Sequence, residues 1–320
     1  MVMNRVQFQS GLSLPHFMEL YGTEEKCDAA LELMRWPDGF RCPRCDWQQY
    51  GFIHGRRHKR YQCRNCRHQA TLTAGTIMEA TKLPLTTWFL AFYLVGQTKT
   101  GISSLALMRH LGVNYRTAWL IHNKIMQAMS EQEDDFVLRG KVQVDDAYLG
   151  GEHCGGKPGR GSENKVPIVA AVSVDDAGHP QHLKLATLTT FSFAAIADWA
   201  QDALAPGCEV ISDGLACFRA VAEVGCFHQA VVVRGRHPDK LPQFRWVNTV
   251  LSNIKTSISG TFNFLSFKKY GNSYLGAFSY RFNQRFNLIA MTDRVLQRAC
   301  FCLARWESLI RSAELTTQSS

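Results

Sequence analysis

The sequence has no run of about 18 consecutive apolar residues, which is the length expected of a helix that crosses a membrane. The first ten residues also lack the apolar core of a secretory signal peptide. Acidic residues are few compared with basic ones, 27 against 36, and the formal net charge is +9. We therefore expect no membrane segment and a polyanionic partner, with a merely basic soluble protein as the simpler alternative.

The length of 320 residues allows two or three domains and at least one sizeable core. Eleven cysteines are present, but four of them have the spacing of a metal site and the others are scattered among apolar residues. This distribution predicts a reducing cytoplasm rather than a disulfide framework.

Two pairs of cysteines share the spacing CxxC and are separated by seventeen residues. Each CxxC turn offers two thiolates to one ion, so the pattern predicts a closed tetrahedral Zn(II) site. The ligands would be Cys42, Cys45, Cys63 and Cys66. Since four thiolates complete such a site, the module would fold and bind rather than catalyse.

The stretch between the two cysteine pairs is dense in cations. We expect its basic side chains to contact DNA phosphates, although a solvated hairpin is the simpler interpretation. The cations concerned are Arg56, Arg57, Lys59 and Arg60.

Helical spacing of apolar residues marks the chain before and after the cysteines. One segment covers about 17–36, with Thr23 at a plausible helix start, and further segments lie between 84 and 129. The short turn at residues 112–114, with Asn114 as N-cap of the next helix, is typical of a helix-turn-helix. Arg116 and Lys124 on that helix are predicted DNA contacts, and a plain three-helix packing unit is the alternative.

A β-rich run at residues 141–151 contains two adjacent acids. Because neighbouring strand residues face opposite sides, Asp145 shares a face with Gln143, whereas Asp146 shares the face of two valines. An acid within a buried strand is costly unless a positive group meets it. The position therefore indicates a metal ligand, with a hydrogen-bonded structural aspartate or an edge strand as the alternative.

A second acid, Asp213, ends a strand near residues 209–212. The order of predicted elements from residue 141 onward is three strands, helix, strand, helix, strand, helix, which is that of an RNase H-like domain. In that fold the first and fourth strands are neighbours, so Asp145 and Asp213 would converge. Two carboxylates suit Mg(II) or Mn(II).

The last helix of that series is predicted over residues 246–259. Asn248 and Lys255 are seven residues apart, which is two helical turns, so they share one face. The helix would present an amide oxygen and an ammonium group toward the two aspartates, unless both are ordinary polar surface residues.

These residues give the chain a family resemblance. It resembles the insertion-sequence transposases that combine an N-terminal zinc ribbon with an RNase H-like core of the DDE type. The matching segments are 35–45 (RWPDGFRCPRC), 144–151 (VDDAYLGG), 212–214 (SDG), 246–255 (WVNTVLSNIK) and 280–286 (YRFNQRF). Many relatives have Glu as the third metal-site residue, whereas one subgroup has Asn and a D-D-N-K set, which this chain resembles.

The resemblance implies a multidomain α/β protein that cleaves DNA at the ends of an insertion sequence and transfers the cut strands. Asp145, Asp213, Asn248 and Lys255 would be catalytic, with Asp145 and Asp213 holding Mg(II) or Mn(II). Its partners would be the terminal inverted repeats, the target DNA and further copies of the chain. The alternatives are a DNA-binding protein that has lost catalysis and a nuclease that does not join.

The domain organisation that we expect from the sequence and this resemblance has five parts. They are a helical segment (1–37), the zinc ribbon (38–80), a helix-turn-helix-like domain (81–135), the RNase H-like domain (136–290), and a C-terminal helix and tail (291–320).

Overall fold

The computed structural model describes residues 6–54, 59–134, 136–150, 165–231, 241–262 and 266–312. The chain divides into two compact units. The first comprises Met1–Thr98, Ser104–Ala128 and Phe286–Ser320, and the second Lys99–Ser103 and Met129–Arg285.

The elements follow one another along the chain in three stretches. The first contains α1 (Leu14–Tyr21), α2 (Glu24–Arg35), β1 (Tyr50–His54), β2 (Lys59–Cys63), β3 (Gln69–Thr71), α3 (Leu85–Gln97), α4 (Ser104–Leu111) and α5 (Tyr115–Asp134). The second contains β4 (Lys141–Leu149), β5 (Val166–Val174), β6 (Pro180–Thr187), α6 (Phe193–Ala203), β7 (Glu209–Ser212), a 3₁₀ helix (Ala216–Val224) and β8 (Phe227–Ala230). The third contains a 3₁₀ turn (Pro242–Phe244), α7 (Arg245–Thr261), α8 (Phe267–Asn283), α9 (Met291–Phe301) and α10 (Glu307–Ser312).

Side-chain caps fix the helix starts in the first unit. The hydroxyl of Thr23 accepts from the backbone N–H of Lys26 at 3.4 Å, and Asn114 accepts from Thr117 at 2.9 Å, which confirms both as N-caps. No described helix combines the length and the apolar composition that a membrane crossing requires.

The predicted zinc ribbon forms an antiparallel sheet in the order β1-β2-β3. Its small core is aromatic, with Tyr61 fully buried and stacked on Phe40 at 5.6 Å between ring centroids. Trp36 meets both rings edge-on, at 4.9 Å from Phe40 and 4.8 Å from Tyr61. This packing accounts for the aromatic residues in the segment that precedes the first cysteine pair.

The second unit is built on a five-stranded sheet of the order β6-β5-β4-β7-β8 among its described residues. β4, β5 and β6 are antiparallel neighbours, whereas β7 and β8 run parallel to β4. One face packs against α6 and the 3₁₀ helix Ala216–Val224, and the opposite face packs against α7 and α8. This mixed sheet with helices on both faces confirms the predicted fold class.

Local signals set the boundaries of the two helices on one face of the sheet. Helix α6 begins at Phe193, because the Ser192 hydroxyl accepts from the backbone N–H of Ala195 at 3.2 Å. The 3₁₀ helix ends before Gly225, whose φ of 78° lies in the left-handed region.

Candidate active site

The pairing of β4 with β7 brings the two predicted aspartates together. In this parallel pair Val144 lies opposite Ser212. Asp145 is the next residue of β4, and Asp213 directly follows the end of β7. Asp145, Asp146 and Asp213 each offer a carboxylate oxygen, and these atoms all lie within 4.8 Å of one another. The sheet topology therefore concentrates three acids at one point.

Strand alternation puts the Cβ atoms of the two neighbouring acids of β4 on opposite faces of the sheet, although their carboxylate oxygens come within 4.8 Å of each other. Ala147, two residues after Asp145, lies in the core beneath α7, so Asp145 faces that helix. Val144, two residues before Asp146, lies in the core beneath α6. Strand alternation thus assigns Asp145 to the α7 side of the sheet. Which of Asp145 and Asp146 is the first metal ligand stays a prediction, because both offer an oxygen to the cluster.

Burial and repulsion between neighbouring carboxylates shift the pKa of Asp145 within the acid cluster. The pKa of Asp145 is raised to about 7, chiefly by burial and also by the nearby carboxylates of Asp213 and Asp146. The backbone N–H of Asp146, which donates to Asp145 Oδ1 at 2.9 Å, and the charge of Lys255 act in the opposite direction. A bound cation would therefore stabilise the cluster by neutralising its negative charge.

Helix α7 is held against β4 by Gln143. The side-chain oxygen of Gln143 accepts from the backbone N–H groups of Trp246 at 3.0 Å and Val247 at 3.2 Å. Asn248, the next residue, is half-buried in the first turn of this helix. Gln143 thus supplies the acceptor for the start of a helix that has no side-chain cap of its own.

The face of α7 that carries Asn248 also carries Lys255, two turns further on. Lys255 is exposed, and its ammonium group is close enough to Asp145 to lower the pKa of that carboxyl. The charges of Asp213 and Lys255 therefore both act on the carboxyl of Asp145. Asn248 lies in the first turn of the same helix as Lys255.

The donor set fits a hard divalent cation. Carboxylate oxygens are the ligands that Mg(II) and Mn(II) prefer, and three half-buried acids so close together need a counter-charge. The Asp213 carboxylate is oriented by the backbone N–H of Leu215, which donates to its Oδ1 at 3.1 Å. Asp145 and Asp213 are thus both held by local backbone donors.

The four predicted zinc ligands form a separate cluster in the ribbon. Their sulfur atoms all lie within 4.8 Å of one another, and the pairs Cys42–Cys66 and Cys45–Cys63 are both 3.6 Å apart. A tetrahedral ion with bonds of about 2.3 Å places its ligand sulfurs roughly 3.8 Å apart. The cluster therefore fits a structural Zn(II).

The two cysteine turns have the same backbone construction. The residue after each second cysteine donates its N–H to the carbonyl of the first, from Asp46 to Cys42 at 2.8 Å and from Arg67 to Cys63 at 3.1 Å. Asp46 and Arg67 both have left-handed φ angles, 57° and 60°. Both turns thus use a conformation that costs about 1–2 kcal/mol for a non-glycine residue.

The predicted DNA contacts occupy different environments. Lys59 and Arg60 are exposed on β2, whereas Arg56 and Arg57 lie outside the described residues. Arg116 is exposed and makes a two-pronged ion pair with Glu307, with both N–O distances 2.9 Å.

Lys124 points into the first unit and donates to the carbonyl of Ile77 at 2.8 Å, and burial lowers its pKa. On the same helix His122 and Asn123 are buried, so their side chains take part in packing. Both Arg116 and Lys124 stay predictions as DNA contacts.

Two features of the site have no signal in the sequence. The sequence shows only that Gln143 shares a strand face with Asp145, because its partners on α7 lie more than 100 positions away. His228 on β8 forms a hydrogen bond of 2.9 Å with the hydroxyl of Ser212, the residue directly before Asp213. No local pattern in the sequence predicts this hydrogen bond, because it depends on the alignment of β7 with β8.

Comparison with known proteins agrees with this architecture. Residues 137–283 match the ISXO2-like transposase domain, and residues 22–69 match the transposase zinc-ribbon domain. The chain thus carries a DDE-type transposase domain behind a transposase zinc ribbon. It is also 26% identical over 237 residues to an uncharacterized protein in transposable element ISH50 of Halobacterium salinarum, a match that covers 68% of this chain and 76% of that protein.

Proposed function

We propose that this protein is a D-D-N-K transposase that cleaves DNA at the ends of an insertion sequence and joins those ends to target DNA. The observation that carries the proposal is the proximity of Asp145 on β4 to Asp213 directly after β7, inside the matched transposase domain. Asn248 and Lys255 complete the set from α7.

Each of the four residues has a distinct task in this proposal. Asp145 and Asp213 hold two divalent ions, Mg(II) or Mn(II), and Asn248 adds a neutral oxygen ligand. Such ions, when bound, activate the attacking oxygen and stabilise the leaving oxygen of a phosphoryl transfer. Lys255 holds a DNA phosphate or offsets charge that develops in the transition state.

The first unit supplies DNA binding in this proposal. The Zn(II) ribbon presents Lys59 and Arg60 on exposed positions of β2, where they can neutralise phosphates. Because two element ends must be joined, the protein acts as a homo-oligomer on DNA. Its substrate places it in the cytoplasm, on nucleoid DNA.

The test uses the purified zinc-loaded chain and labelled DNA taken from the flanks of its own gene. Asp145→Asn and Asp213→Asn should abolish metal-dependent cleavage yet leave DNA binding intact, since each removes a charge that holds metal. Asp202→Asn is the matched control, because Asp202 is exposed on α6, outside the acid cluster. Wild-type cleavage by both Asp145→Asn and Asp213→Asn would refute the assignment.

The products separate the alternatives. Recovery of joined strands identifies a transposase, whereas cleavage without joined product identifies a nuclease. Binding without cleavage at any metal concentration identifies a DNA-binding protein that has lost catalysis. Inverted repeats and short duplications beside the gene would support the first outcome independently.

A further inference from the structure

Glu307, the first residue of α10, is bound by two arginines. Its carboxylate accepts from Nε and Nη2 of Arg116, both at 2.9 Å, and from Nε of Arg311 at 2.7 Å. These contacts lower the pKa of Glu307 to about 2, and the hydrogen bond from Arg116 is the largest cause. Two guanidinium groups therefore converge on one carboxylate.

This arrangement is the one that guanidinium groups adopt around an anion. The planar fork of arginine makes two parallel hydrogen bonds to a carboxylate or to a phosphate with the same geometry. Two oxygens of a phosphate can therefore take the places of the two carboxylate oxygens of Glu307. The three donor nitrogens form an anion site that an acid of the chain itself occupies.

The second arginine is positioned by a ring of α5. The guanidinium carbon of Arg311 lies 4.4 Å from the centre of the Trp119 ring, within the range of a cation–π contact. Arg116 and Trp119 are three residues apart on α5, so they share one face of that helix. This face of the predicted recognition helix thus carries one cation of its own and a second one from α10.

The start of α5 is open to an anion. Arg116 is the second residue of the helix, and no acidic residue lies in the first turn. The backbone N–H groups of a first turn add a partial positive charge. The side chain of Arg116 is 75% exposed, so DNA can reach it from solvent.

Helix α10 is attached to the unit by few contacts. All six of its residues are described, and Ile310 is the one that is buried. Trp306, directly before the helix, is 59% exposed. A helix this short is unstable alone, and exposed ion pairs contribute little in water. The contact of Glu307 with the two arginines is therefore one that a competing anion can replace.

We propose that Arg116 and Arg311 bind one backbone phosphate of the DNA, and that Glu307 occupies their site until DNA displaces it. The proposal rests on the DNA-binding role proposed above for the first unit, and it adds a second cation and an internal competitor. A neutralised phosphate releases condensed counterions, which favours the exchange at low salt. Because a phosphate carries no sequence information, Glu307 lowers the affinity for every DNA sequence alike.

The experiment measures binding of the full zinc-loaded chain to labelled DNA from the flanks of its own gene, across a salt titration. Glu307→Gln should bind this DNA roughly 2- to 10-fold more tightly than the wild type, because DNA no longer competes with a carboxylate for the two arginines. If Glu307 only braces α10, its loss adds no contact to DNA, and the affinity should stay the same or fall.

Glu19→Gln is the matched control. Glu19 is exposed on α1 of the same unit, and the substitution removes the same charge. It should bind DNA as the wild type does. A thermal melt checks that each variant is folded.

The two arginines are tested together. Arg116→Gln combined with Arg311→Gln should weaken binding and reduce the salt slope by about one unit, the amount expected for one phosphate. Adding Glu307→Gln to this pair should change the affinity no more than Glu19→Gln does, because no arginine is left for Glu307 to occupy.

Three results would overturn the proposal. The first is a Glu307→Gln protein that binds DNA no more tightly than Glu19→Gln. The second is a gain in affinity that survives the removal of both arginines, and the third is a salt slope that does not change when they are removed. Each of these leaves the transposase proposal standing, whereas a wild type that binds none of this DNA refutes both.

Discussion

The side-chain oxygen of Gln143 lies 3.0 Å from the backbone nitrogen of Trp246, so a residue of β4 caps helix α7. The same strand carries Asp145 on the same face, and α7 carries Asn248 in its first turn. One hydrogen-bonded contact therefore sets the position of the helix relative to the acid cluster. Gln143 is a positioning residue rather than a ligand.

The first prediction follows from that contact. Gln143→Met keeps the length of the side chain but leaves two helix N–H groups without an acceptor in a buried place, at a cost of about 1–2 kcal/mol. Denaturant unfolding should show this loss, and Gln143→Glu, which retains an acceptor oxygen, should recover most of it. Equal stability of Gln143→Met and the wild type would mean that α7 docks without this bond.

The convergence of Asp145 and Asp213 was predictable from the sequence because it follows from simple rules. Period-two alternation gives the face of each strand residue, and the order of strands and helices gives the neighbouring strands. The spacing of the cysteines likewise predicts the zinc ribbon, because four thiolates bind a structural Zn(II) almost always in tetrahedral geometry.

The cap by Gln143 and the burial of Lys124 were not predictable in the same way. Helical periodicity shows which residues share a face but not which segment will cover that face. Lys124 meets the carbonyl of Ile77, 47 positions earlier, and no local pattern encodes such a partner. Side chains that bridge distant segments therefore need the tertiary structure.

The second prediction concerns the strained residue of the second cysteine turn. Arg67 has a φ of 60°, so Arg67→Gly should relieve strain and stabilise the zinc-bound ribbon by about 1 kcal/mol. Competition with a chelator measures this, because binding and folding are coupled at such sites. Arg64→Gly removes the same charge from the same turn at a position without a positive φ, and it should give no gain. Weaker zinc binding by Arg67→Gly than by the wild type would contradict the view that the backbone of Arg67 is strained.

The third prediction concerns pH. Burial raises the pKa of Glu133 from 4.5 to about 7, although a hydrogen bond from Asn283 partly opposes this shift. The folded state therefore holds a proton that the unfolded state releases, and the stability present below pH 4.5 is lost as pH rises to 7. A difference of this size corresponds to on the order of 3 kcal/mol.

Glu133→Gln should remove that dependence. We expect the variant to be more stable than the wild type at pH 8 and little changed at pH 4, as measured by urea unfolding at both values. Glu223→Gln, at an exposed position of the 3₁₀ helix, is the control and should match the wild type throughout. An equal loss of stability at both pH values would show that Glu133 acts through packing instead.

The last prediction concerns the neutral member of the proposed D-D-N-K set. Asn248→Ala should reduce strand transfer of a pre-cut end less than Asp145→Asn does, because it removes only an uncharged ligand. Lys255→Ala should cost on the order of 10²–10³ in rate, as loss of one preorganised electrostatic donor does. Asn248→Glu adds charge next to the metal site and should lower the Mg(II) concentration that gives half-maximal activity. It should not raise the maximal rate, because the new carboxylate also attracts Lys255, two turns away.

The control for this swap is Asn253→Glu, at an exposed position of the same helix that points to a different side. It adds the same charge to α7 but not beside Asp145, so its Mg(II) dependence should follow that of the wild type. An unchanged Mg(II) requirement in Asn248→Glu, or an equal shift in both variants, would remove Asn248 from the metal site. A shift confined to Asn248→Glu would place its side chain beside the ions that Asp145 and Asp213 hold.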